Sequence, residues 1–395
     1  MGLPDNSGFD LHSNFRRGAL NKITDVPGVR AANVTITNAA DADAADVEGH
    51  AAPAGSVNTG VTAILPHTGN LFREKVAAGC AVINGFGKSA GLIQIEELGT
   101  IETPIIMTNT FSVGTASTAL IRYMLEQNED IGVSTSTVNP VVTECNDGSL
   151  NDIRGFHVSE GDVLEALHRA KESGEDFEEG AVGGGRGMCC LGFKGGIGSA
   201  SRVLTLDGSE YTIGAIVMAN FGSARHLTVG GRHLGEELQR RAAYNSAGAA
   251  QDGTAGNSAD DAAGTSHSGD FASRDKGSII MVVGTDVPLS SRQLSRVARR
   301  AAIALGRCGS YMGNGSGDIC IAFSTANKIS HYSDKKIITY RAIYEDAIDE
   351  VFEAAVESIE EAIISALWHA ETVTGVRGKT SRGLRDCMKE QKAQD

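Results

Sequence analysis

The chain has 395 residues, 41% of them hydrophobic, which is long enough for two or three domains or for one large α/β sandwich. Its net charge of −14 argues against nucleic acid and anionic membranes as partners, because an acidic surface attracts neither. The seven cysteines are odd in number and lack a CxxC spacing, which argues against a disulfide framework and a metal site and favours a reduced, cytoplasmic protein.

The first half of the chain alternates apolar runs, which predict strands, with segments of helical periodicity. We expect neither an export signal nor a membrane anchor, because the sequence shows no signal-peptide pattern and no apolar run of membrane-spanning length. Residues 38–58 are rich in alanine and aspartate and predict a solvated loop. Strands are predicted over 31–37, 60–66, 104–109, 140–145 and 211–220, and helices over 69–82, 114–127 and 161–172.

The segment 181–201 is exceptionally rich in glycine. A phosphate-binding loop is one interpretation, but the segment matches neither GxxxxGK[ST] nor a GxGxxG fingerprint with a downstream acid. A hairpin, or a place where two backbones approach closely, is the favoured interpretation.

The second half begins with a polar segment, 241–276, that contains almost no large apolar residue and predicts a disordered connector. Beyond it, strands are predicted over 278–283 and 319–323, helices over 290–306 and 342–369, a glycine-rich loop over 309–317 and a frayed basic tail after 376. Strands and helices in this order favour a layered α/β sandwich with the sheets inside and the helices outside.

The dipeptide Gly277-Ser278 stands where the polar connector meets the apolar run Ile279–Val283. A hydroxyl behind a glycine at such a junction can attack the preceding carbonyl, because glycine permits close approach and strained geometry. Cleavage there would leave Ser278 with a free amine, whose ordinary pKa of about 7.7–8.0 suits it to act as the general base for its own hydroxyl. Taken alone, most Gly-Ser dipeptides are turns or strand entries.

Several further motifs, which follow one another in the order typical of one enzyme family, give the chain a family resemblance. It resembles the DmpA-type aminopeptidases, the L-aminopeptidase/D-esterase and β-aminopeptidase family of self-processing serine hydrolases. The motifs that carry the resemblance are Thr59–Pro66, Asn84–Leu92, Glu144–Gly148, Gly195–Arg202, Ala219–Gly222, Gly277–Ile280, Gly313–Ile319 and Ala322–Asn327.

The resemblance implies a four-layer α-β-β-α sandwich like that of the N-terminal nucleophile hydrolases, with different connectivity. It implies one domain over 1–395, cleaved between Gly277 and Ser278 into an α chain (1–277) and a β chain (278–395) that stay associated. Family members are homo-oligomers of this αβ unit, commonly tetramers, and the resemblance implies no cofactor and no metal.

The resemblance also implies a role for each site residue. Ser278 corresponds to the nucleophile in both self-cleavage and substrate hydrolysis. Ser316 and Asp318 correspond to the hydroxyl and acid that orient and tune its amine and hydroxyl, and Asn220 to the oxyanion donor. Glu144 corresponds to the carboxylate that holds the substrate's free amino group. In isolation, an acid such as Asp318 or an amide such as Asn220 is more often a turn or capping residue.

The predicted activity is release of N-terminal amino acids from small peptides, amides or esters through an acyl-enzyme on Ser278. One alternative is transfer of the acyl group to an amine, as in the similarly folded ornithine acetyltransferases, although those use threonine as nucleophile. Another is a scaffold relative without catalytic activity, and a third is nucleotide binding through 183–199. The sequence leaves open whether α- or β-amino acids, L or D forms, and amides or esters are preferred.

Overall fold

The architecture was analysed in a computed structural model, which describes residues 9, 11–38, 55–240 and 276–392. The connector predicted over 241–276 lies outside the described residues except for Lys276, and most of the loop predicted over 38–58 also lies outside them.

Fourteen strands and eight α-helices are present in the described ranges. The strands are β1 (Arg30–Thr37), β2 (Asn58–Leu65), β3 (Glu74–Gly85), β4 (Thr100–Ile101), β5 (Ile105–Asn109), β6 (Val141–Cys145), β7 (Cys189–Cys190), β8 (Phe193–Lys194), β9 (Gly196–Leu206), β10 (Ser209–Asn220), β11 (Lys276–Thr285), β12 (Gly315–Ser330), β13 (Val373–Thr374) and β14 (Thr380–Ser381). The helices are α1 (Leu92–Leu98), α2 (Val113–Gln127), α3 (Glu160–Ser173), α4 (234–240), α5 (Ser291–Arg299), α6 (Ala301–Arg307), α7 (Asp349–His369) and α8 (Leu384–Lys392).

Two large sheets form the centre of the protein. The first has the strand order β1-β2-β5-β6 and the second the order β4-β3-β12-β11-β10-β9. In the second sheet β11 runs antiparallel to β10 and parallel to β12. A parallel pair needs a crossover between its strands, and the chain makes it through α5 and α6.

Three apolar cores separate four layers. Ile64, Met107, Ile280 and Ile321 belong to the core between the two sheets. One outer core joins the four-stranded sheet to α2 and α3, and the other joins the six-stranded sheet to α5, α6 and α7. The fold is therefore an α-β-β-α sandwich, as predicted. No helix in the described ranges is long and apolar enough to cross a membrane.

Helix α7 packs directly on β9 because small residues at the contact let the two backbones approach. A Cβ atom at Gly198 of β9 would overlap the carbonyl oxygen of Ala362 in α7. Buried Arg202 of β9 forms ion pairs with Glu357 and Glu361 of the same helix, at 3.0 and 2.7 Å.

The helix predicted over 69–82 is wrong, because 74–85 forms strand β3. Ala77, Ala78 and Ala81 favour a helix locally, but β3 pairs with β12 along its whole length. Its small residues serve close packing, since a Cβ atom at Gly79 would overlap the main chain of Ser295 in α5. Tertiary pairing therefore overrides local propensity here.

The frayed tail predicted after 376 is also wrong. Strands β13 and β14 pair there, and α8 follows with Leu384 fully buried. The helix predicted over 342–369 begins later, at Asp349, and the one over 290–306 is divided at Arg300. The loop over 309–317 ends early because β12 starts at Gly315. The strands predicted over 31–37, 60–66, 104–109, 140–145, 211–220 and 278–283 and the helices over 114–127 and 161–172 are confirmed within a few residues, and the strand predicted over 319–323 lies within the longer β12.

Candidate active site

Three adjacent strands of the six-stranded sheet bring Asn220, Ser278 and Gly317 side by side. Asn220 ends β10 and is the register partner of Ser278 in β11, which in turn is the partner of Gly317 in β12. The main-chain N–H of Gly317 donates to Ser278 Oγ at 3.3 Å. Ser278 is 6% exposed, so its hydroxyl lies almost wholly inside the protein.

Gly277, directly before Ser278, has a backbone that only glycine adopts without strain. Its φ is +123°, and a Cβ atom there would overlap the carbonyl oxygen of Asn220. The main chain on both sides of the Gly277–Ser278 peptide bond is therefore packed closely against the end of β10.

Ser316 and Asp318 form a buried hydrogen-bonded pair at the start of β12. The Ser316 hydroxyl donates to Asp318 Oδ1 at 2.6 Å, and both residues are fully buried. Strand alternation sets their side chains on the helix-covered face of the sheet, whereas Ser278 shares with Ile280 the face between the two sheets. The pair thus lies on the same face as Gly277, the register partner of Ser316.

The carboxamide of Asn220 is held from two sides by main-chain groups. Its Oδ1 accepts a hydrogen bond from the N–H of Cys189 at 2.8 Å. Its Nδ2 donates to the carbonyl of Asn146 at 3.0 Å. These two contacts fix the orientation of the amide, which still has a second hydrogen on Nδ2.

Glu144 lies near the end of β6, with its carboxylate buried against neutral donors. Its Oε1 accepts the N–H of Lys88 at 2.8 Å, and its Oε2 accepts the hydroxyl of Thr110. Glu144 is 3% exposed, and no cationic side chain among the described residues forms an ion pair with it. A Cβ atom added at Gly87 would lie 3.5 Å from Glu144 Oε1 and 4.0 Å from the Cα atom of Gly317. The Glu144 carboxylate therefore lies beside β12, the strand that pairs with Ser278.

The glycine-rich segment 181–201 forms a hairpin and close backbone contacts, the interpretation favoured from sequence. Strands β7 and β8 pair as the hairpin. A Cβ atom at Gly185 would lie 2.5 Å from the nitrogen of Ile197, and one at Gly195 would overlap the carbonyl oxygen of Ala219. The glycines therefore bring this segment against the end of β10, where Asn220 lies.

Two buried ionisable residues beside Asn220 were not identified from sequence. Burial raises the pKa of Asp147 to about 6, although hydrogen bonds from Thr59 and Asn151 oppose the shift. Burial lowers the pKa of Lys194 to about 7. A lysine between a phenylalanine and two glycines carries no sequence signal of burial, so only the structure reveals it.

Comparison with known proteins identifies the family. The sequence model of peptidase family S58 matches residues 21–381. The chain belongs to peptidase family S58. Among the described residues of this S58 chain, no cluster of three histidine, cysteine or acidic side chains is placed to hold a metal ion.

Several known proteins match nearly the whole of this chain, and two of the three described next are named as aminopeptidases. The β-peptidyl aminopeptidase BapA of Sphingosinicella microcystinivorans is 40% identical over 368 residues, covering 93% of this chain and 86% of BapA. The L-aminopeptidase D-Ala-esterase/amidase of Ochrobactrum anthropi, described as a prototype of the serine aminopeptidases and a new variant of the Ntn hydrolase fold, is 34% identical, with a TM-score of 0.79 over 97% of this chain and 96% of that one. The PH0078 protein of Pyrococcus horikoshii OT3 is 46% identical, with a TM-score of 0.83 over 99% and 98% of the two chains. The resemblance stated from sequence is thereby confirmed.

Proposed function

We propose that this S58 peptidase is a self-activating serine aminopeptidase whose nucleophile is Ser278. The observation that carries the proposal is the position of Ser278, in register between Asn220 and Gly317 and directly after the left-handed Gly277. The names of its aminopeptidase relatives support the reaction class.

Self-cleavage proceeds in two steps. The Oγ of Ser278 attacks the carbonyl carbon of Gly277, and the C–N bond breaks as an ester forms and the nitrogen takes a proton. Water then hydrolyses this ester, restoring the hydroxyl and leaving a carboxylate on Gly277. The released nitrogen becomes the α-amine of Ser278. The ordinary pKa of such an amine, about 7.7–8.0, allows it to act as a general base near neutral pH.

Substrate hydrolysis uses the same atoms. The amine accepts the proton of the Ser278 hydroxyl as Oγ attacks the substrate carbonyl, the leaving amine takes that proton, and water releases the acyl group. The Ser316–Asp318 pair lies on the opposite face of the sheet from the Ser278 side chain, which favours an action on the new amine rather than on the hydroxyl. A buried carboxylate there stabilises the ammonium that forms.

The oxyanion and the substrate amine have separate partners. The second hydrogen of Asn220 Nδ2 can stabilise the oxyanion, a contact whose loss typically costs ~10²–10³ in rate. Glu144 offers a buried carboxylate that has no cationic partner in the described part of the chain, which favours substrates with an unblocked amino terminus.

Intact mass of the purified wild type and of Ser278→Ala tests the proposal. We expect two wild-type fragments that divide at Gly277–Ser278, and one uncut chain for the variant. The wild type is then assayed with β-alanyl and L-alanyl amides, each beside its N-acetylated form as a matched control. An uncut but active wild type, or equal hydrolysis of blocked and free substrates, contradicts the proposal.

A further inference from the structure

Lys194 is a fully buried lysine that forms no ion pair among the described residues. Its Nζ donates instead to three main-chain carbonyls, those of Met188 and Gly195 at 2.7 Å and of Gly185 at 3.1 Å. Three acceptors match the three N–H groups of an ammonium. Burying a cation without a counter-ion is costly, and such groups concentrate at functional sites.

The three carbonyls belong to both ends of one loop, residues 185–195. Besides its contact with Lys194, the carbonyl of Met188 accepts the N–H of Gly195, so the two ends of the loop are joined at this point. The next residue, Cys189, is the one whose N–H donates to Asn220 Oδ1. The Met188 carbonyl and the Cys189 N–H belong to the same peptide group, so Lys194 binds one side of the peptide group whose other side orients the Asn220 carboxamide.

Charged and thiol groups also surround the Lys194 ammonium. Arg186 is repulsive, and it is already paired with Glu371 at 3.0 Å. Cys189, Cys190 and Glu371 each favour the ammonium electrostatically. The direct contacts of Nζ are those to the loop.

We propose that Lys194 is a positioning residue, whose ammonium fixes the 185–195 loop so that Cys189 holds the Asn220 carboxamide with its N–H group toward the reacting carbonyl. The inference rests on the proposed function, in which Asn220 is the oxyanion donor. Without the Cys189 contact only the hydrogen bond to the Asn146 carbonyl orients the carboxamide. A carboxamide that rotates would present its oxygen, which would repel the oxyanion instead of stabilising it.

The test is a double-mutant cycle with Lys194→Met and Asn220→Ala, singly and together. Self-cleavage itself depends on the same donor, so rates are normalised to the cleaved fraction measured by intact mass. We expect Lys194→Met to lower kcat roughly 10- to 100-fold with KM changed less than about threefold, because a mispositioned oxyanion donor affects the transition state. In the Asn220→Ala background the same substitution should lower kcat less than about twofold, since the donor that it positions is already gone.

Lys22→Met is the matched control. Lys22 is also buried, but it contacts Asp176 and the carbonyl of Phe177, away from the site. We expect this variant to lose thermal stability while kcat stays unchanged. Should Lys194→Met fail to fold, Lys194→Gln, which keeps two N–H donors, replaces it in the cycle.

The outcomes distinguish the positioning role of Lys194 from the oxyanion role of Asn220. If Asn220→Ala lowers kcat and the Lys194 variant does not, or if the two effects simply multiply, the positioning role is wrong and the proposed function stands. If Asn220→Ala leaves kcat unchanged, the oxyanion role of Asn220 is wrong and the inference built on it falls as well.

Discussion

Glu144 binds its own neighbours through the N–H of Lys88 and the hydroxyl of Thr110, and both contacts suit an amide as well as a carboxylate. We expect Glu144→Gln to preserve this local structure and to raise KM for free-amine substrates roughly 10- to 100-fold, because a charge-assisted hydrogen bond to the substrate ammonium becomes a neutral one. Steady-state kinetics with β-alanyl amide measures the change.

Propionyl amide, which lacks the amine, is the matched control for Glu144→Gln. Its turnover should be equally slow with both enzymes. An unchanged KM for the β-alanyl substrate would show that another group holds the amine.

Glu179 provides a pH-dependent contribution to stability outside the site. Its Oε1 accepts the N–H of Ser199 and the hydroxyl of Ser365, and burial raises its pKa from 4.5 to about 7. Between these two values the folded protein keeps a proton that the unfolded chain has lost. This contribution to the free energy of unfolding is therefore complete below pH 4.5 and is lost as the pH rises to about 7.

Glu179→Gln should remove this dependence, since the amide oxygen still accepts both hydrogen bonds. We expect the free energy of unfolding of the variant, relative to wild type, to increase between pH 4.5 and 7 by at most about 3 kcal/mol, a bound set by the size of the pKa shift. Glu179 is partly exposed, so solvent screening reduces the increase below this bound. Urea denaturation over this pH range measures the difference. Parallel curves for the two proteins would contradict the assignment.

At the level of elements, the contact of α7 with β9 depends on Gly198. We expect Gly198→Ala to destabilise the protein by about 1–3 kcal/mol, because its methyl group would overlap the main chain of the helix. Gly114→Ala is the control: this exposed glycine is the second residue of α2 and has nothing within 4 Å of an added Cβ atom, so the substitution should not destabilise and should stabilise by up to about 0.5 kcal/mol. Thermal melts compare the two, and equal shifts would contradict the packing explanation.

The sequence predicted elements well where local pattern and tertiary environment agree. Strand β2 is buried throughout, β11 contains the apolar run Ile279–Val283, and α2 and α3 show clear helical periodicity. The pattern failed at β3, where Gly79 leaves room for α5, a helix that lies more than 200 residues further along the chain. Such a requirement is not visible locally.

Some residues of the candidate site could likewise be named from the sequence, and others only from the folded structure. The resemblance named Asn220, Ser278, Ser316, Asp318 and Glu144, and the structure places the first four on three neighbouring strands. Their catalytic roles remain predictions. Lys194 was missed because its burial arises from three carbonyls that only the folded loop brings together.

At the scale of the whole molecule, the proposed cleavage would interleave two chains in one sheet. Strands β11 and β12 would belong to the β chain, and they lie between β10 and β3 of the α chain. Helix α7 of the β chain also covers β9 and β10.

We therefore expect the cleaved fragments to stay together in native buffer. Size-exclusion chromatography followed by denaturing mass analysis should find both fragments, in equal amounts, in a single native peak. They should separate only in denaturant, in one cooperative transition. Elution of free 278–395 in native buffer would contradict this expectation.

The parallel pairing of β11 with β12 also has a consequence for the timing of activation. A nascent chain that has emerged only as far as Thr285 contains Ser278 but lacks the strand that supplies Gly317, Ser316 and Asp318. Under the proposed mechanism, the peptide bond at Gly277 stays intact until the ribosome has delivered β12 and the sheet has closed around β11. The free α-amine of Ser278 would then form only after this region has been synthesised and folded, and a misfolded copy would remain an uncleaved precursor.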